Sequence, residues 1–151
     1  MDRNKKIKIL LLAFLIVVIT LLSFLFFRNY SIYGNKINKI KIGGSEFKAE
    51  IVNTPEKLER GLGNRENICD NCGMLFIFPK SEKHSFWMKG MRFGIDVVWI
   101  NGNEVVYIEK DVPFGYGKVM NPEKQSDKVL EIKGGTAERV GIKVGDVVEF
   151  K

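Results

Sequence analysis

The chain is too poor in soft ligands to build a metal centre alone, with two cysteines and one histidine in 151 residues. A structural zinc site takes four ligands, and only Cys69, Cys72 and His84 are of the usual soft types. At most a site shared between two chains remains, so no metal and no cofactor is expected. A serine–histidine–aspartate set, a paired-carboxylate constellation and a phosphate-cradling glycine loop are also missing. The glycines at 43, 44, 134 and 135 fall at turns, without the strand-loop-helix context that a nucleotide site demands. Internal repeats and low-complexity tracts are absent too, and no catalytic residue is assigned.

What the chain does have is one long apolar run. Residues 9–27, ILLLAFLIVVITLLSFLFF, carry no charge and as a helix would cover roughly 28 Å, against a bilayer core of about 30 Å. A cleaved leader would have a shorter apolar stretch and a small-residue cleavage site. This run ends in FFRNYSIYG, and no cysteine follows that could carry a lipid. It therefore reads as a signal-anchor, a single transmembrane helix that stays in place, rather than a leader or a buried soluble helix. Arg3, Lys5, Lys6 and Lys8 precede it and only Arg28 follows closely, which places the N-terminus (1–8) in the cytoplasm and the rest outside. Residues 28–36 would be a short tether, and 37–151 one exported domain.

The formal net charge of +6 owes much to that flank: residues 1–28 hold five basic residues and one acidic, leaving 19 against 17 beyond. A domain near +2 carries no nucleic-acid signature. The expected partners are the membrane, through the chain's own helix, and an unidentified ligand or protein of the cell envelope.

Within the exported domain, INKIKI and EFKAEIV flank Gly43-Gly44 as a hairpin. NTPEKLERGLG suits a short helix capped by Thr54, with Pro55 at its first position, a Glu56–Arg60 surface pair and Gly63 at its end. GMLFIF and HSFWMK are strand-like. IDVVWI and EVVYIEK form a hairpin across Asn101-Gly102, and IDVVWI, apolar on both faces, should be central. Residues 111–127 lack a period and read as a long loop. KVLEIK is a further strand, GGTAERVG a turn of helix capped by Thr136, and GDVVEF the closing strand. The expected class is mainly β (α+β), a small barrel or sandwich with two short helices.

Candidate chemistry concentrates in residues 67–96. In an oxidising compartment Cys69 and Cys72 should pair, closing a ring worth only about 2 kcal/mol. A thioredoxin-like role would need the attacking cysteine at a helix N-terminus, whereas Cys72 runs straight into a strand pattern beside Asp70. Asp96 shares a strand face with Val98 and Ile100, so its carboxylate must find a cation or several N–H donors. Lys89, Arg92 and Arg65 are the candidate cations. One outcome is a structural ion pair; the other is a pair lining a ligand-binding cleft beside Trp87. Trp87 and Trp99 otherwise read as core, and His84 as a surface or capping residue. Phe114 and Tyr116, between glycines on the long loop, could form a contact surface for a sugar, peptide or protein.

The blocks ERGLGNR, CGMLFIF, FWMKGMRFGIDVVWI and VLEIKGGTAERVGIKVGDVVEF, in this order, resemble the prokaryotic family known as domain of unknown function 192, over about residues 46–151. The resemblance implies a small exported or membrane-tethered β-rich domain and brings no established activity. Its recurrent polar positions fall on Arg65, Lys89 and Asp96. Where the family commonly has Met-Lys-Asn, this chain has Met88-Lys89-Gly90, and Gly94-Ile95-Asp96 replaces the usual Pro-Leu-Asp.

The sequence thus favours a non-enzymatic, membrane-anchored extracytoplasmic binding domain, with Arg65, Trp87, Lys89, Asp96, Phe114 and Tyr116 as candidate ligand-binding residues. A thiol-disulfide protein using Cys69 and Cys72 is the alternative. Hydrolysis of an envelope polymer by Asp96 with His84 ranks last, for want of a second carboxylate.

Overall fold

The computed structural model describes the backbone of residues 3–33 and 35–151, and the side chains of residues 5–24 and 35–151. The chain forms two compact units, Met1–Asn35 and Lys36–Lys151. In the first, α1 runs Arg3–Tyr33. Its stretch Lys5–Phe24, with mean hydropathy 2.8, is long and apolar enough to cross a membrane. The helix continues past the apolar run to Tyr33, so residues 28–33 of the expected tether are helical.

The second unit carries β1 (Ile37–Ile42), β2 (Ser45–Val52), α2 (Pro55–Arg60), β3 (Cys72–Glu82), β4 (Ile95–Asn101), β5 (Glu104–Val112), β6 (Ser126–Lys133), α3 (Thr136–Val140) and β7 (Glu149–Phe150). One seven-stranded sheet has the order β5-β4-β6-β3-β2-β1-β7. Only β2 and β3 pair in parallel; the others are antiparallel. Near the C-terminus Val147 bridges Glu104 and Val148 N–H donates to Asn103 C=O at 2.7 Å. The segment after α3 thus links β5 to β7 at the opposite edge, and the sheet curls into a half-barrel.

Both faces of the central strands are covered. Leu75, Val98, Ile100, Leu130 and Ile132 point to one core, with Ile40, Phe47 and Ala137. The alternate residues Met74, Phe76, Val97, Trp99 and Val129 point to the other, with Leu62, Phe86 and Met120. This is the period-2 pattern with apolar residues on both sides that central strands show, and β4 sits between β5 and β6 as expected.

Local expectations met several corrections. HSFWMK forms no strand; its only ladder contact is a single Phe86–Met120 bridge. The reason is that β6 and β5 already occupy both flanks of β4. The β4–β5 hairpin pairs Asn101 with Glu104, so its central residues are Gly102-Asn103, and of these only Gly102 has positive φ (62°). Gly43 and Gly44 do both have positive φ, 57° and 77°, as a type I′ turn requires. Helix α2 ends at Gly61 rather than Gly63, and Thr54 holds the N-cap position without a side-chain cap bond. In α3 the N-cap is Gly135, and Thr136 is already helical.

Candidate functional site

Asp96 is fully buried in β4, and its partners are backbone amides. The N–H groups of Asp111 and Gly135 donate to Oδ1 at 2.6 and 3.0 Å, and that of Ala137 donates to Oδ2 at 2.6 Å. The carboxylate thereby ties the end of β5, the β6–α3 turn and the first turn of α3 to the central strand. The expected ion pair is corrected: Arg65 binds Glu50 through both terminal nitrogens, at 2.5 and 2.8 Å, and Arg92 binds Glu66. Three converging amides satisfy the buried carboxylate, and among the described residues no ion pair reaches it.

A concavity walled by aromatic residues lies on the other face of the sheet. A cleft of ≈ 290 Å³ opens between α2 with its exit, the strand β3, and the connection from β3 to β4. Phe76, Phe78, Phe86, Leu58, Leu62 and Met91 form its apolar walls. Phe76 and Phe86 meet edge-on at 4.9 Å. His84 stacks on Phe78 at 3.6 Å between ring centroids, and its Nε2 lies 3.1 Å from the Lys80 carbonyl, which holds the ring at the mouth. Arg60, Lys83, Lys89 and Glu59 bring charge to the cleft. Trp87, expected in the core, is instead 48 % exposed at the rim.

Trp87 and Lys89 recur in two shallower depressions. One, of ≈ 440 Å³, places them with Arg60, Asn64 and Gly90; the other, of ≈ 220 Å³, sets them against Tyr116 and Lys118. Gly90 has φ 73°, a region that glycine and asparagine tolerate best. Glycine at this position therefore keeps the turn on which Asn64 N–H reaches the Gly90 carbonyl at 2.8 Å.

At the cleft, a residue not singled out from sequence carries the strongest chemical signal. Glu131 of β6 lies opposite Met74 of β3 and Val97 of β4, and only 4 % of it is exposed. Burial pushes its carboxyl up to about 8, against a backbone hydrogen bond from Leu62 and the charge of Arg65. Arg65 is already matched by Glu50, so desolvation wins. The acid therefore keeps its proton at neutral pH. Its Oε2 has no hydrogen-bond partner among the described residues, an arrangement that costs about 1–3 kcal/mol when nothing offsets it. Beside it, Gly61 (φ 51°) lets the backbone pass close: a Cβ there would stand 3.2 Å from the Phe76 ring and 3.6 Å from Oε2.

The sequence-derived candidates thus fall into separate places. Trp87 and Lys89 line the cleft, and Tyr116 faces them across the neighbouring depression. Arg65 supports Glu50, Phe114 stands 64 % exposed on its loop, and Asp96 is enclosed by backbone. Cys69 and Cys72 lie at disulfide-bonding distance just before and at the start of β3. The adjacent Asp70 pairs with Lys133 at 2.7 Å.

A solved structure from Sinorhizobium meliloti 1021, described as that of a candidate transcription regulator, superposes with a TM-score of 0.74 at 23% identity. It covers 77% of this chain and 95% of its own; at that identity the likeness carries the fold alone. A protein of unknown function from Novosphingobium aromaticivorans DSM 12444 superposes with a TM-score of 0.72 at 29% identity, covering 77% and 86%. In both solved structures the likeness spans most of the chain. None of the curated proteins matches the chain. The family profile of DUF192, described as an uncharacterised ACR, matches residues 38–150, and the chain belongs to that family.

Proposed function

We propose that the protein is a membrane-anchored, extracytoplasmic binding domain that captures a small ligand of the cell envelope in the Glu131 cleft and performs no bond-making chemistry. The observation that carries this reading is the buried Oε2 of Glu131, left without a partner among the described residues at an aromatic-walled cleft. Stability alone disfavours such a group, because an apolar side chain would fill the same space without the penalty. A retained cost at a concave site points to a ligand. Trp87, half exposed at the rim, supports the same reading, since a large aromatic left in solvent is a common contact residue. The apolar stretch Lys5–Phe24 and the basic residues before it support anchoring with the domain outside.

Saturation-transfer NMR of residues 36–151 against a library of small aromatic acids, amides and amines tests the binding reading. Hits should disappear in Trp87→Ala and Glu131→Leu while the far-UV spectrum is kept. A library without hits, or hits indifferent to both substitutions, refutes it. Location is tested by adding protease to spheroplasts carrying a C-terminally tagged chain. The tag should be lost while the spheroplasts stay sealed; a protected tag contradicts export.

A further inference from the structure

Resting on the cleft reading above, we infer that the ligand is an amphipathic anion. Its apolar body lies between Phe78, Phe86 and Trp87, a neutral oxygen acceptor meets Oε2 of Glu131, and an acidic group faces Lys83 and Lys89. Three features of the site select this chemistry. The walls are aromatic and aliphatic, which suits a body of rings or short chains. The charged groups lining the cleft are unbalanced, with Arg60, Lys83 and Lys89 against Glu59, and a mouth of that sign draws in anions and repels amines. The polar foot is directional. Leu62 N–H already serves the carboxyl group, so a protonated Oε2 presents an O–H donor, which asks for a carbonyl or similar acceptor.

The proton on Glu131 is set by everything packed around it. Its lateral neighbours Met74 and Val97 are apolar. Glu59 and Arg60 approach from α2, and Lys83, His84 and Lys89 from the β3–β4 connection. Arg65 stands behind, bound to Glu50 of β2. With the carboxyl raised to about 8, the donor is present at neutral pH and is lost above that value. An acceptor seated on Oε2 stabilises the protonated form, so ligand and proton should bind with positive linkage.

The test uses residues 36–151 and three probes that share one N-acetylated body: N-acetyl-phenylalanine as the carboxylate, its neutral primary amide, and the analogue with an aminomethyl group in place of the carboxylate as the cation. Trp87 fluorescence, excited where phenylalanine does not absorb, reads binding. The carboxylate should bind about tenfold or more tighter than the amide, and the amine weakest. Lys83→Ala with Lys89→Ala should bring the carboxylate down to the level of the amide. Binding of the carboxylate should weaken as the pH rises through about 8. In Glu131→Gln, whose amide still donates, binding should persist without that pH dependence. Glu131→Leu, which keeps the core filled, should lose it. Preference for the amine at neutral pH, or an equal response to carboxylate and amide, overturns the anion assignment and leaves the cleft reading standing. No fluorescence response to any of the three at millimolar concentration overturns both.

Discussion

Glu131 makes a prediction about stability that needs no ligand. Its carboxyl ionises near 4.5 when exposed and is raised to about 8 in the fold. Below the lower value both folded and unfolded chains carry the proton, and the group contributes no pH dependence. Between the two values the unfolded chain ionises and the folded one does not, so stability falls as the pH rises. The slope approaches 1.4 kcal/mol per pH unit, or about 3–5 kcal/mol across the window. Above the upper value both states are ionised and the loss levels off. A domain of this size has about 5–15 kcal/mol in total, so the effect is large. The other shifted groups act elsewhere. Glu46, Asp70 and Glu138 are lowered by hydrogen bonds from Lys39, Lys133 and Lys110, so what they contribute is present above the ordinary carboxylate range and lost only in acid. Tyr107, raised to about 12 first by its hydrogen bond to Glu109, loses its contribution only in strong alkali. Urea denaturation of residues 36–151 at about pH 5, 6.5 and 8 measures the slope. Wild type should lose several kcal/mol towards the alkaline end, and Glu131→Gln should stay nearly level. A wild-type curve that is flat or rises with pH over this range refutes the electrostatic account of the cleft.

Other substitutions separate structure from binding. Asp96→Ala strands three amide donors and should cost about 3–6 kcal/mol in urea melts, enough to unfold much of the domain; Asp96→Asn, which keeps one acceptor oxygen, should cost less. Replacing Cys69 and Cys72 with serine should lower stability by about 2 kcal/mol or less and leave probe binding within twofold of wild type; loss of binding would return weight to a redox role. Arg65→Met should cost about 2–4 kcal/mol by leaving Glu50 half-buried without its guanidinium. Trp87→Ala should change stability by under about 1 kcal/mol while abolishing the fluorescence response, since the ring is half exposed.

Much of the fold was legible because local pattern and final environment agree. IDVVWI is apolar on both faces and sits between two strands; Gly43-Gly44 supplies two positive φ values where a tight hairpin needs them. Asp96 was legible as a buried acid for the same reason, being the one charge in an apolar run. Its partners were not, because backbone amides leave no residue-type signal and the three donors lie 15 to 41 residues away. Glu131 was missed for a related reason. In KVLEIK it alternates with Leu130 and Ile132, which is how a solvent-facing residue looks on a half-buried strand. Only the distant cover from α2 and the 83–91 connection turns that face into an interior. HSFWMK alternates like a strand but finds no free strand edge to pair along. The cleft was therefore read in part, through Trp87 and Lys89 on its rim, while the acid at its heart depended on contacts between segments far apart in the chain.

The central claim is that Glu131 holds a proton in the folded domain and uses it to bind. Carbon-detected NMR of the Glu131 side-chain carboxyl, followed through a pH titration with and without N-acetyl-phenylalanine, addresses that directly. The carboxyl should titrate near 8 in the free domain and at a higher pH with the probe bound. A carboxyl already ionised at about pH 6, or a midpoint that the probe leaves unmoved, would contradict it.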